Sequence, residues 1–176
     1  MLRIVPAIAS LQQHLMTLAC TPQTYRPQRC PQCGLAGLWG HGHYDRKADR
    51  GSGALNPIRV PRFCCRGCGG TCSSLPSCLP PRRWYLWSMQ QAVLLCLLSG
   101  ASLRECADTS GRARSTVRRW WQWLQQSHEQ LAFHLRSHWP EWGRTGSWQG
   151  FWQLALAQEP LREVMAWLDR QGVAVP

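Results

Sequence analysis

Acidic side chains are scarce in this sequence. Its 176 residues hold 9 Asp+Glu against 20 Lys+Arg, a formal charge of +11, and lysine occurs once, at Lys47. No run of 18 apolar residues exists, which argues against a membrane-spanning helix and for a protein with no membrane partner. The N-terminal stretch MLRIVPAIASLQQHLMTLAC has one arginine, and Ser10, Gln12, Gln13 and His14 interrupt it, so it does not read as a secretory signal. The expected location is therefore a reducing cytoplasm, in association with the nucleoid. Tyrosine and phenylalanine number three each, but 11 tryptophans and an apolar fraction of 44% exclude a fully disordered chain. The length suits one domain or two small ones.

The charge is uneven. Residues 1–83 carry 11 basic and 2 acidic residues, residues 84–126 carry 5 and 2, and residues 127–176 carry 4 and 5. A basic front and a neutral back suggest a part that faces a polyanion joined to a part that packs or meets a partner. The excess of arginine suits phosphates and guanine edges, although a GC-rich genome would favour it too.

Ten cysteines stand against that background, six of them between residues 30 and 72. One pattern occurs twice, as Cys30-Pro31-Gln32-Cys33-Gly34 and Cys65-Arg66-Gly67-Cys68-Gly69. A Cys-x-x-Cys step brings two thiolates of one tight turn to a single ion, and the following glycine allows the positive φ of that turn. Two such turns supply four sulfurs in a tetrahedron. Cys30, Cys33, Cys65 and Cys68 are the expected ligands of a structural Zn²⁺. With every position filled by protein, none is open for a catalytic water. Similar knuckles hold iron, so the residues leave the metal's identity open. The intervening residues 34–64 exceed the commonest spacing, but a β-hairpin would bring their ends together and longer closure costs little extra. Cys64 breaks the spacing. Cys72 and Cys78 have only each other, His41 and His43 as partners for a second site, and His41 and His43 read as exposed. Cys20, Cys96 and Cys106 read as small core residues.

The expected fold class is α+β, with a small β-hairpin zinc ribbon, an all-α helix-turn-helix region and a Trp-rich helical tail. The expected segments are 1–29 (a helix over 7–19 and a linker), 30–80 (the ribbon), 81–126 (the helix-turn-helix) and 127–176 (the tail). Gly51-Ser52-Gly53 marks a hairpin tip. Pro61 makes the following strand an edge strand, and Pro76, Pro80 and Pro81 form a stiff connector. A helix runs from Trp84 to Ser99, with Gly100 just past its end. Ser102-Leu103-Arg104-Glu105 is a capping box that opens a short second helix, and Thr109 to Arg112 is a turn. A third helix spans Ala113 to Gln126, with Val117, Trp120, Trp121 and Leu124 at helical spacing. In helix-turn-helix folds the first turns of that helix enter the major groove. Val117, Trp120 and Leu124 are expected inward against Leu103 and Cys106. Arg112, Arg114, Ser115, Thr116, Arg118 and Arg119 are then the candidate DNA contacts, with Arg62 and Arg66 of the ribbon. Leu131, Leu135 and His138 continue the helical spacing, Trp139 to Gly143 break it, and two short helices follow over 147–157 and 160–171.

The run CPQCG…HGHYDR…IRVPRFCCRGCGGTCSSLP, followed by LSGASLRECADTSGRARSTVRRWWQWL, resembles the zinc-ribbon and helix-turn-helix front end of bacterial insertion-sequence transposases and their small accessory proteins. Cys30, Cys33, Cys65 and Cys68 fall on that pattern's ligand positions. His41-Gly42 and Arg46 match its middle element, and Arg62, Phe63 and Thr71 match the approach to the second knuckle. Cys72 stands where the pattern usually has Phe. The resemblance covers residues 28–126 and implies a part in transposition, with double-stranded DNA as the ligand. A transposase is the implied partner. The Trp-rich tail itself reads first as packing back on the helical core, and alternatively as an interface with a second copy, where Trp is enriched.

Full transposases of this kind also carry three acidic residues that bind two Mg²⁺ ions. Asp45, Asp49, Glu105, Asp108, Glu129, Glu141, Glu159, Glu163 and Asp169 show no such arrangement. Only 50 residues follow the third helix. The expectation is a non-enzymatic protein, either an accessory factor or a naturally shortened transposase. A transcriptional regulator and a zinc-ribbon adaptor for other proteins are the alternatives. The histidines, including His134 and His138 one helical turn apart, read as surface residues without a catalytic partner.

Overall fold

A computed structural model describes residues 2–48, 57–81 and 85–175. The expected tip at Gly51 to Gly53 and the expected helix start at Trp84 lie outside the described residues. The chain divides into two compact units, Met1–Leu86 and Trp87–Val175.

The first unit is a four-stranded sheet. Its strands are β1 (Leu2–Val5), β2 (Leu38–Arg46), β3 (Ile58–Cys65) and β4 (Thr71–Pro76), in the order β1-β4-β3-β2. β2 and β3 form the expected antiparallel hairpin, with a register shift between Gly40 and His43. Two expectations fail here. β3 is internal, because β4 pairs with it through Arg62, Phe63 and Cys64. Pro61 is tolerated because it lies beyond the β4 ladder, beside the register shift on β2, where a missing N–H costs no regular bond. Pro76 closes β4 and does not open a connector, and β1 adds to β4 in parallel from Leu2↔Ser73 to Val5↔Pro76. Residues 1–29 thus belong to the sheet unit.

Helix α1 (Leu11–Cys20) starts four residues later than expected, where the Ser10 hydroxyl accepts from the Gln13 amide. His14 fastens it. Its buried ring donates from Nε2 to the Arg59 carbonyl at 2.9 Å, so Nδ1 accepts from the Tyr25 hydroxyl at 2.5 Å. Burial lowers its pKa, which favours this neutral form. Cys20 is exposed and so is not a core residue. The apolar interior is small and split. One cluster joins Ile8, Tyr25, Cys30, Leu38, Phe63, Cys65 and Cys72, and the other joins Ala48, Ile58, Val60, Leu75 and Leu79.

The second unit is helical: α2 (Trp87–Leu98), α3 (Leu103–Ser110), α4 (Arg114–Arg136), α5 (Trp148–Gln158) and α6 (Leu161–Arg170), with a 3₁₀ turn at Pro140–Arg144. The capping box at Ser102 and Glu105 is formed in both directions. Gly111 ends α3 with φ +63°, a left-handed conformation that glycine adopts without strain. The third helix does not stop at Gln126. It continues to Arg136, since His128, Leu131, Ala132 and Leu135 extend its buried stripe. The tail packs back on this core, with Trp142, Phe151, Trp152, Leu161 and Met165 fully buried. Gln91 ties α2 to the junction of α5 and α6, donating to the Leu156 carbonyl at 2.8 Å and accepting from the Leu161 amide at 2.7 Å.

Leu124 sits fully buried on α4. Leu124→Ala should cost about 2–5 kcal/mol, through lost burial and the cavity left behind. The exposed Gln125→Ala should stay within about 0.5 kcal/mol of the parent. Urea unfolding followed by tryptophan fluorescence checks both.

Candidate functional site

The two Cys-x-x-Cys turns fold as copies of one another. In each, the first cysteine's amide donates to a carbonyl five residues on, Cys30 to Leu35 at 2.8 Å and Cys65 to Gly70 at 2.9 Å. In each, the glycine after the second cysteine donates back to the first cysteine's carbonyl, Gly34 at 2.8 Å and Gly69 at 3.0 Å. Those glycines have φ +74° and +66°, so the turn needs the freedom that glycine supplies. In each, the amide two residues on (Gln32 or Gly67) donates to the first cysteine's sulfur at 3.4 Å. An amide aimed at sulfur favours thiolate over thiol.

Closure of the β2–β3 hairpin brings the turns face to face. The sulfurs of Cys30, Cys33, Cys65 and Cys68 all lie within 4.8 Å of one another. Cys30 Sγ is 3.8 Å from Cys68 Sγ, and Cys33 Sγ is 3.5 Å from Cys65 Sγ. A tetrahedral thiolate site with metal–sulfur bonds near ~2.3 Å has edges of roughly 3.8 Å. Cys30 and Cys65 are buried in the core cluster with Phe63 and Leu38, while Cys33 and Cys68 are exposed. The turns approach each other closely enough that at two points an added side chain would push aside a flexible neighbour. A Cβ on Gly67 would fall on the Leu35 side chain, and one on Gly70 on that of Gln32, 3.2 Å from Cys68 Sγ.

Four sulfurs this close cannot all ionise without a counter-charge. The amides of Cys68 and Gly67 draw the Cys65 thiol down to about 6 against the effect of burial. The Leu35 amide lowers Cys33 too, yet the surrounding thiols of Cys65, Cys68 and Cys30, together with burial, push it up to about 12. A divalent cation removes this conflict, so the donor set, spacing and amide bonds fit a metal ion held by four thiolates. Cys64 points elsewhere, its thiol toward the Gly69 carbonyl at 3.5 Å. Cys72 is a buried neighbour in the core and not one of the four. His41 and His43 are exposed, and no second cluster of metal-binding side chains occurs among the described residues.

In the helical unit, α3 and α4 are joined by three residues, Gly111 to Ala113. Val117, Trp120 and Leu124 face the interior, as does Cys106 of α3. Arg114, Ser115, Arg118 and Arg119 are exposed on the first two turns of α4, while Arg112 and Thr116 are half-buried. Arg114, Arg118 and Arg119 pair with no carboxylate among the described residues. In the sheet unit, Arg66 is exposed with its guanidinium 5.2 Å over the Trp39 ring, and Arg62 is half-buried on β3. The residues alone gave no signal for Trp39, which stands in the segment LWGHGHY among glycines and histidines.

Residues 30–120 match a family described as a domain of unknown function, DUF6431. The chain belongs to that family. The matched segment opens on Cys30, takes in both cysteine turns, α2 and α3, and closes on Trp120 in the second turn of α4. β1, α1, α5 and α6 lie outside it. No curated protein and no solved structure matches the chain.

A cobalt titration checks the site. One Co²⁺ per chain should give the absorption of a tetrahedral four-thiolate centre. Cys33→Ser should abolish that spectrum and Cys64→Ser should leave it intact. Because binding displaces thiol protons, apparent affinity should fall as pH is lowered from 8 to 6.

Proposed function

We propose that this chain is a zinc-dependent protein that binds double-stranded DNA, in which a structural Zn²⁺ on Cys30, Cys33, Cys65 and Cys68 forms a ribbon and α3–α4 act as a helix-turn-helix. One observation carries the reading. The first two turns of α4 present Arg114, Ser115, Arg118 and Arg119 to solvent, while Val117, Trp120 and Leu124 hold the opposite face in the core. Three arginines without carboxylate partners, at the positive end of a 23-residue helix, are suited to phosphates and to guanine edges. Arg112 and Thr116 flank this surface, and the sheet unit has basic candidates of its own in Arg62 and Arg66.

In this reading, which the resemblance to insertion-sequence fronts supports, the protein serves a bacterial mobile element as a transposase-like or accessory DNA-binding factor with no catalytic role of its own. Double-stranded DNA is the first partner in this reading. A transposase or a second copy of the chain is the next, and the bacterial nucleoid is where the protein would act. Its closest rival, a transcriptional regulator, shares the DNA surface and differs only in the sequences bound. Footprints on element ends, and none on promoters, would favour transposition.

Binding of the zinc-loaded chain to labelled duplex DNA tests the reading. Affinity should fall steeply with salt. Arg118→Ala and Arg119→Ala should each weaken binding about 5- to 100-fold, as loss of a base or phosphate contact does. Arg66→Ala should lower affinity and the salt slope without changing sequence preference. Equal binding by the parent and all three variants would contradict the proposal.

A further inference from the structure

Trp39 is one of four large apolar side chains exposed in the sheet unit among the described residues, with Leu15, Met16 and Leu35, and the only aromatic one. Most large apolar side chains there are buried, yet its indole is 55% exposed. A single exposed apolar residue is ordinary, but the neighbours of this one are specific. Trp39 pairs with Cys64 across β2 and β3, which puts both side chains on one face of the sheet. Strand alternation puts Arg62 on that face too, opposite the face where Phe63 and Cys65 enter the core. Arg66, in the second cysteine turn just past β3, lays its guanidinium 5.2 Å over the indole. β2 is the outer strand of the sheet, so Trp39 stands at an open edge.

We propose that this face, which carries Trp39, Arg62 and Arg66, is a stacking site for an unpaired nucleobase, and that it gives the protein affinity for single-stranded nucleic acid. An exposed indole offers a π surface to any base, and arginines beside it take the flanking phosphates. Charge supports a nucleic-acid occupant over a protein one. The first 86 residues carry 11 basic and 2 acidic side chains; Arg66 lies over the ring and Arg62 shares its face of the sheet. Because Arg66 covers one side of the indole, it holds the ring in place and leaves one base-sized platform. A duplex keeps its bases paired and stacked internally, so it cannot use that platform without opening. The inference stands apart from the reading of α4, which lies in the other unit and concerns duplex DNA; Arg62 and Arg66 serve phosphates in both, and Trp39 belongs to this site alone.

The full zinc-loaded chain should be titrated against labelled dT12, U12 and a mixed-sequence duplex of 20 base pairs, using fluorescence anisotropy. The proposal expects binding to dT12 and U12 alike, since stacking and phosphate contacts do not read the sugar. Trp39→Ala should weaken dT12 binding by about tenfold or more. Trp39→Phe should restore most of it, and both variants should bind the duplex as the parent does. Cobalt binding by Trp39→Ala should match the parent, which separates loss of the platform from loss of the fold. Unchanged dT12 affinity in Trp39→Ala would overturn the proposal, and so would equal loss for dT12 and duplex. Loss of duplex binding in Arg118→Ala with dT12 binding intact would confirm that the two surfaces act separately.

Discussion

The convergence of four cysteine sulfurs is the constraint on which the sheet unit depends. Residues 34–64 separate the two turns, and the hairpin must close for the sulfurs to meet. Among the described residues its apolar interior holds two clusters of seven and five buried side chains, and the larger includes two of the four cysteines. A core so divided gives modest stabilisation, and small domains of this kind commonly need a metal or disulfides. An ion bound by all four thiolates would fix both turns, β2 and β3 at one point. It would also resolve the conflict between Cys65, drawn down to about 6, and Cys33, pushed up to about 12. The same closure sets Arg66 over Trp39, so the sheet face depends on the sulfurs as well.

The helical unit has a different basis. α2, α4, α5 and α6 bury Trp87, Trp120, Trp142 and Trp152 with a full complement of leucines. Its polar links are specific, with Gln91 joining three helices and the Ser102–Glu105 box fixing the start of α3. α4 serves two ends at once. Its buried stripe runs from Val117 to Leu135, while its first two turns keep their arginines in solvent. Of the tail's five tryptophans, Trp142 and Trp152 are spent on that interior, while Trp139, Trp148 and Trp167 are half-buried.

Much of this was legible in the sequence, for identifiable reasons. The cysteine turns announce themselves because both the spacing and the glycine are local requirements. The capping box and the apolar period of α4 are local as well. What the sequence concealed depends on distant partners. Nothing within LRIV says that it will add to β4 in parallel, seventy residues away. Pro61 reads as an edge because the register shift that accommodates it lies on another strand. His14 reads as one more polar interruption until Tyr25 and Arg59 arrive around it. The end of α4 was set too early because the change to polar residues at Gln125 and Gln126 is only the exposed side of a helix whose buried side continues. Trp39 is invisible as a surface feature until the pairing with Cys64 fixes its face.

The most direct test of the account is a two-dimensional amide NMR spectrum of the isotopically labelled, zinc-loaded chain, recorded before and after a strong chelator. If the four cysteines hold an ion that supports the sheet unit, one equivalent of metal leaves. The dispersed signals of residues 2–81 should then collapse, while those of α2 to α6 keep their positions. If the full spectrum survives chelation, or if no metal is released, the sulfurs are ordinary core and surface thiols and the account of the sheet unit is wrong.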